Sequence, residues 1–258
     1  MQSDLSLHSN DSPLQYKASI DRSLWRGILP DMWRERMDLT GLFDILAQSY
    51  SVRDWWPRRD DPFEVIVGAI LIQRTTWANA ARAIEALRDE GLLTSEAIHA
   101  ADGSRLEPLI RPTGFYRAKA ATLKGFCSML TQDYEGELSV LLQLPLPAQR
   151  VVLLSNRGIG DETADAILVY AAGKPSFVVD AFTRRLLLRL GWIEGDESYV
   201  EIQRAFTEAL PADANTFASY HALLVQHGQT HCRVRPRCVG CPTASLCDFV
   251  TVQRKDVQ

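Results

Sequence analysis

The chain's architecture turns on the stretch "NRGIGDETADAILVYA", Asn156–Ala171. Gly158 and Gly160 flank Ile159. Asp161 and Glu162 then open a segment whose Ala164, Ile167, Leu168 and Ala171 share one helical face. The residues before it, "QRVVLLSN", also have helical apolar spacing. The pattern is helix, tight turn, helix. Glycine permits the turn and lets another backbone come close. The free N–H groups that open the second helix are then turned outward, ready for an anion. No strand precedes the turn and a third glycine is missing, so this is not a dinucleotide-binding fingerprint. A plain helix–helix corner is the alternative. Asp161 and Glu162 favour the dipole of the helix they open and need not touch the anion.

On either side, the same spacing recurs in "FEVIVGAILIQ", "ANAARAIEALRDEG", "AKAATLKGFCSML", "AFTRRLLLRLG" and "ASYHALLVQHG". Strand signals are scarce, so the chain reads as all-α, with about ten or more helices. Gly91, Gly173, Gly191 and Gly228 read as helix stops. "RPTG" and "LPLP" read as short connections, and "GKPS" near residue 175 as an internal boundary. The polar residues 1–33 read as a flexible tail. With 258 residues, 46% hydrophobic and 23% charged, the composition is that of a folded soluble chain. No apolar run approaches the roughly 20 residues that span a bilayer, and the first residues lack a signal-peptide pattern. These features point to a cytoplasmic protein with no membrane partner.

The net charge of −4 argues weakly against nucleic acid, but local distribution matters more than the sum. Arg111, Arg117, Lys119 and Lys124 lie in an acid-free stretch; Arg184, Arg185 and Arg189 form a second group, Arg233, Arg235 and Arg237 a third. Taken singly, each reads as a solvated face. Cys232, Cys238, Cys241 and Cys247 follow a C-x5-C-x2-C-x5-C pattern. Clustered thiols in a cytosolic chain suggest a metal site rather than disulfides. Zinc motifs usually bring two close pairs. One close pair with a single cysteine on each side suits an iron–sulfur core, and zinc remains the alternative. Cys127, beside Phe126 and Leu130, reads as a buried small hydrophobe.

The ordered combination of the Gly-Ile-Gly hairpin, "FVVDAFTRRLLLRLG" about twenty residues on, and the four cysteines resembles the helix–hairpin–helix DNA glycosylases of the endonuclease III superfamily. "DPFEVIVGAILIQRTTW", "IRPTGFYRAKAATLKGF" and "YHALLVQHGQTHC" extend the resemblance from about Trp55 to Cys247. It implies two helical domains with a DNA-binding cleft between them. One is a helical barrel over 62–174 carrying the hairpin. The other joins 34–61 to 175–258 and carries a 4Fe-4S cluster on the four cysteines. The gap from Cys232 to Cys238 is one residue shorter than the family's usual one, which puts the loop's shape in question.

The resemblance also implies roles. Arg157, Gly158, Ile159, Gly160 and Thr163 would hold a DNA phosphate, often with a monovalent cation, and Arg184, Arg233, Arg235 and Arg237 would meet the backbone. Gln73 would fill the gap left by an extruded nucleotide. Asp180 matches the catalytic aspartate, whose carboxylate stabilises positive charge on the sugar; on residues alone it is a helix N-cap. Glu162 stands where bifunctional members carry a nucleophilic lysine, and a carboxylate cannot form an imine. The expectation is a monomeric, monofunctional glycosylase on double-stranded DNA with a damaged base, nucleoid-associated and acting in base excision repair.

Trp55, Trp56, Pro57 and Trp77 could surround a flipped base, Trp77 following Gln73 by one helical turn. Together with Glu162 they are most similar to the 3-methyladenine DNA glycosylase III subfamily. The favoured substrate is therefore an alkylated purine, whose charge aromatic faces attract by about 0.5–2 kcal/mol per ring. The alternatives are an endonuclease III-like enzyme for oxidised pyrimidines and a damaged-DNA-binding protein that has lost excision.

Overall fold

Helix punctuation by short polar side chains sets the architecture. The computed structural model describes residues 37–52 and 61–255. The chain divides into two units, Met1–Met37 and Asp38–Gln258. The described residues of the second unit form thirteen α-helices: α1 (Leu39–Ser49), α2 (Pro62–Leu71), α3 (Trp77–Asp89), α4 (Ser95–Ala100), α5 (Gly103–Ile110), α6 (Tyr116–Asp133), α7 (Leu138–Gln143), α8 (Leu146–Ser155), α9 (Asp161–Tyr170), α10 (Ala181–Arg189), α11 (Tyr199–Ala209), α12 (Ala214–Thr230) and α13 (Asp248–Lys255). Asp38, Asp61, Thr76, Thr94, Asp180, Ser198 and Asp213 each cap the next helix with a side-chain oxygen, satisfying N–H groups the helix itself leaves free. There is no strand among the described residues, and none of their helices is long and apolar enough to cross a membrane. The tail expected over 1–33 lies outside the described residues.

Helices α2 to α9 close around one apolar core. Its members include Ile66, Val67 and Ile70 of α2, Ile84 and Leu87 of α3, Leu123, Phe126 and Cys127 of α6, and Ile167 and Leu168 of α9. Helix α2 is buried along its whole length after Phe63. Its one buried acid, Glu64, is paired with Arg88 at 2.6 Å. Cys127 is the small core hydrophobe its sequence context indicates; burial pushes its thiol up to about 12.

Helices α1 and α10 to α12 pack on a second, aromatic nucleus. Phe177 stacks on Phe206 with centroids 3.9 Å apart and meets Phe217 and Tyr220 edge-on. Each such ring contributes about 1.5–3 kcal/mol by leaving water. The Tyr220 hydroxyl donates to Leu39 O at 2.8 Å, tying α1 to α12. Helix α12 also packs on α9, so the hairpin helix lies where the two groups of helices meet.

Two expectations need correction. Gly228 does not end a helix: it lies inside α12. A Cβ there would come within 2.3 Å of Phe182 Cδ1, so the glycine serves close packing between α10 and α12. The basic groups are also not simply solvated faces. Lys119 is buried, and Arg185 and Arg189 turn inward onto backbone carbonyls.

Candidate functional site

The hairpin joins α8 to α9. Gly158 has φ +95°, and a Cβ on it would lie 2.0 Å from Thr122 Oγ1, so backbone conformation and α6 both require glycine. The Ile159 N–H donates to Asn156 O at 3.0 Å, and Asn156 Nδ2 donates to Thr122 O at 3.2 Å. Ile159 is buried, while Arg157 and Gly160 are exposed. Gly160 caps α9 with no side chain to occupy its first N–H groups. Asp161 turns back to Arg150 at 2.6 Å, away from that open end. Arg150 also grips the buried Asp165, which accepts a 2.6 Å bond from Ser176 Oγ. This network fixes the connector that leads from α9 to Asp180.

Gln73 faces the hairpin: its Nε2 donates to Gly158 O at 3.0 Å and to Thr163 Oγ1 at 2.9 Å. Beneath it the Lys119 amine donates to Leu71 O at 2.9 Å and Thr113 O at 2.8 Å. Burial lowers that amine to about 8. Gln73, Arg74, Phe115, Thr122 and Gly158 line a cavity of about 170 Å³. Phe115 is 64% exposed and has φ +47°, with the Arg74 guanidinium 5.2 Å from its ring centre.

Asp180 is only 7% exposed. Its Oδ1 accepts from Thr183 N at 2.7 Å and Thr183 Oγ1 at 2.9 Å; its Oδ2 faces His221 Nε2 at 3.6 Å. Burial alone would raise its pKa. The His221 ring and the Thr183 donors together outweigh burial and hold the carboxyl below its ordinary value. Glu162, across from it on α9, moves the other way. Surrounding protein and then the Asp180 charge push it up, partly offset by His221 and Arg184. Two carboxylates are thus driven apart, Asp180 toward the ionised form and Glu162 toward the protonated one.

The cysteine loop follows α12. Cys232 and Cys247 are buried, Cys238 and Cys241 half-buried. Arg189 Nη1 lies 3.3 Å from Cys232 Sγ and also donates to Arg233 O at 2.6 Å. Arg185 Nε donates to Cys232 O at 2.7 Å. Helix α10 therefore carries Asp180 at its start and the anchor of the cysteine loop at its end. Burial, and then the charge of neighbouring cysteines, pushes the Cys238 and Cys247 thiols up. Among the described residues no three His, Cys, Asp or Glu side chains converge on a single ion position.

Residues 67–212 match the family of HhH-GPD superfamily base excision DNA repair proteins. The chain belongs to this superfamily. A candidate DNA repair glycosylase of Methanocaldococcus jannaschii is 41% identical over 207 residues, which is 80% of this chain and 94% of the relative. An endonuclease III–DNA complex superposes with a TM-score of 0.72 at 26% identity, covering 85% of this chain and 98% of that one. The H. pylori 3-methyladenine DNA glycosylase, solved with 1,N6-ethenoadenine, gives 0.67 at 26% identity, covering 75% and 98%. The all-α fold is that of the endonuclease III superfamily, whose members are DNA glycosylases of base excision repair.

Within this HhH-GPD fold, hydrogen bonds join Gln73, Gly158 and Thr163, and electrostatics join Glu162, Asp180 and Arg184. Arg184 Nη1 also donates to Glu197 O at 2.9 Å. Arg233, Arg235 and Arg237 are exposed and line one shallow surface. Trp77 is 37% exposed, but it does not continue the helix of Gln73. Helix α2 ends at Leu71, and residues 72–76 turn before Trp77 opens α3 under the Thr76 cap. Trp55, Trp56 and Pro57 lie outside the described residues. Sequence reasoning missed His221, Tyr170 and Phe115. His221 in "YHALLVQHG" was a visible signal; its partner Tyr170, 51 residues earlier, was not.

Proposed function

We propose that this protein is a monofunctional DNA glycosylase that flips an alkylated purine out of double-stranded DNA and hydrolyses its N-glycosyl bond. The observation that carries the reading is the buried Asp180 carboxylate, gripped at Oδ1 by Thr183 and facing His221 at Oδ2, with Glu162 on α9 as its electrostatic neighbour beside the glycine hairpin. As the glycosyl bond stretches, positive charge grows on the sugar. An ionised Asp180, buried and already gripped at Oδ1, stabilises that charge without reorganising. Glu162 has no amine with which to attack C1′, so no Schiff base forms through this position. A cationic N3- or N7-alkylpurine departs readily, and its charge beside Glu162 would favour the ionised form of that side chain, which then attracts it.

The rest of the surface supports the same reading. The N–H groups of Gly160 and the first turn of α9 would receive a backbone phosphate, assisted by Arg157 and Thr163 and by a monovalent cation. Arg184, Arg233, Arg235 and Arg237 would add phosphate contacts, which give affinity rather than sequence choice. Gln73 and Phe115 are a polar and an apolar side chain suited to the gap left by the flipped nucleotide. Trp77, with Trp55, Trp56 and Pro57, would stack on the lesion. In the domain division we favour, 62–174 forms the barrel, and 34–61 with 175–258 the cysteine-bearing part. The protein works as a monomer.

Cys232, Cys238, Cys241 and Cys247 would hold a 4Fe-4S cluster. Their C-x5-C-x2-C-x5-C spacing on the one loop after α12 suits such a group. Arg189 supplies a donor to Cys232. When bound, the cluster supplies the positive centre that lets four thiolates share one loop, and with it a fixed shape for the exposed arginines.

A second reading, excision of oxidised pyrimidines, is favoured by the higher TM-score to the endonuclease III complex. One assay decides between them. Purified protein is incubated with methylated DNA and, in parallel, with thymine-glycol DNA; released bases are identified by mass and the reactions treated with borohydride. Release of 3-methyladenine with no trapped adduct is expected. Release of thymine glycol alone, or efficient trapping, overturns the proposal.

A further inference from the structure

Asp180 divides its two oxygens. Oδ1 is consumed by Thr183, whose N–H and hydroxyl lie at 2.7 and 2.9 Å. Oδ2 is left for chemistry, and it faces His221 Nε2, 3.6 Å away on α12. That nitrogen is buried and has no hydrogen-bond partner among the described residues. A buried N–H without an acceptor costs about 1–3 kcal/mol, so a proton there has one carboxylate to serve.

The other face of the ring is fixed. Tyr170 Oη lies 2.7 Å from His221 Nδ1 and donates its proton to Ala218 O at 3.1 Å. An oxygen that has given its proton away accepts from Nδ1–H. Rotating the same proton onto Nδ1 instead makes the neutral ring carry its hydrogen at Nε2. In the second arrangement the neutral ring aims an Nε2–H at Oδ2; in the first, Nε2 carries a hydrogen only when the ring is doubly protonated, so the unpartnered Nε2 facing a carboxylate favours the second. Tyr170 itself stands on α9, the helix that carries Glu162.

We propose that His221 is a positioning residue for Asp180, oriented by Tyr170, so that Tyr170, His221 and Asp180 form a relay spanning α9, α12 and α10. The inference rests on the reading of Asp180 as the carboxylate that faces the sugar. His221 fixes the direction of Oδ2 and favours its charged form. It also acts on Glu162 of α9, the acidic neighbour on which the Asp180 charge acts. The charged and titratable groups around Oδ2 are thus Glu162 on α9, Arg184 on α10 and His221 on α12, with hydroxyls from Tyr170 and Thr183. Of the three charged or titratable side chains, His221 is the one with a nitrogen aimed at Oδ2.

The test compares the full-length protein with its His221→Ala and Tyr170→Phe variants. The Asp180 carboxyl is followed by 13C chemical shift against pH, and single-turnover base release is measured across the same range. In His221→Ala the Asp180 titration moves upward. The acid limb of the excision profile moves with it, and the rate in that limb falls about tenfold. Tyr170→Phe, which keeps the ring but frees it, moves both in the same direction by less. Affinity for DNA bearing an uncleavable abasic analogue stays within about twofold. An Asp180 titration that is identical in wild type and His221→Ala overturns the proposal. So does a rate that falls equally at every pH. Should His221→Ala fail to fold, an unshifted Asp180 in Tyr170→Phe overturns it alone. If the wild type releases no base at all, the functional reading fails, while the carboxyl titration still decides the relay.

Discussion

In the proposed mechanism a single carboxylate does two jobs at position 180, and the two can be separated. Asparagine caps a helix about as well as aspartate, so Asp180→Asn keeps the bond to Thr183 N and the start of α10. What it loses is the charge proposed to face the sugar. Excision is expected to fall about a hundredfold or more while DNA affinity and melting temperature stay close to wild type; single-turnover rates, a binding isotherm and a melt check all three. Lys119 offers a different check, through pH. Its amine titrates at about 8 in the folded chain against an ordinary 10.5, so between those values the unfolded chain holds more protons. Stability therefore rises with pH across that window. Lys119→Met removes this rise, and at neutral pH costs about 2 kcal/mol because Leu71 O and Thr113 O lose their donor. Urea titrations at pH 7, 8 and 10 read both effects. Asp180 was legible in the sequence only through the company it keeps, "FVVDAFTRR" after a glycine hairpin. Lys119 and His221 were not legible. One looks like a surface cation and the other like any helical histidine, and their partners Leu71 and Asp180 are far off in the chain.

The hairpin, taken as an element, has two glycines with different reasons to be glycine. Gly158 needs both its positive φ and the absence of a Cβ against Thr122. Gly160 needs neither: its backbone is extended, at φ −98°, and nothing lies within 4 Å of where a Cβ would stand. Gly158→Ala is expected to cost more than about 2 kcal/mol, a clash added to strain. Gly160→Ala should leave the melting temperature nearly unchanged yet weaken DNA binding, because its methyl group would stand where a phosphate approaches. If Gly160→Ala binds DNA like the wild type, the open end of α9 is not the phosphate seat. The sequence made this element readable because Gly-x-Gly between two apolar-faced helices has few other uses. It misled at Gly228 for a related reason. Glycine near a run's end usually stops a helix, but here Phe182 needed the space, a packing demand no local pattern carries.

The protein as a whole carries a net charge of −4, so its attraction for DNA must be local rather than global. The apolar periodicity was enough to indicate an all-α chain, and the order of hairpin, aspartate and cysteines was enough to indicate its superfamily. Which cations reach solvent was not readable, because that depends on how helices far apart in sequence pack. Of the three basic groups in the sequence, the one around Arg184 to Arg189 is largely spent inside, on Glu197 O, Cys232 and the carbonyls of Arg233 and Val234. The group at Arg233, Arg235 and Arg237 is exposed, held outward by the same inward-facing Arg189. Each phosphate neutralised by such a side chain releases counterions and adds about 0.9 to the slope of log affinity against log salt. Replacing all three with alanine should therefore lower that slope by about 0.9 for each arginine that sits on a phosphate, and weaken binding equally on undamaged sequences of any composition. Replacing Arg185 instead, whose guanidinium is spent on the carbonyls of Cys232 and Gly228, should leave the slope almost intact. A slope unchanged by the triple replacement would mean that DNA crosses another face, and the exposed loop would then need a different explanation from the one its charge suggests.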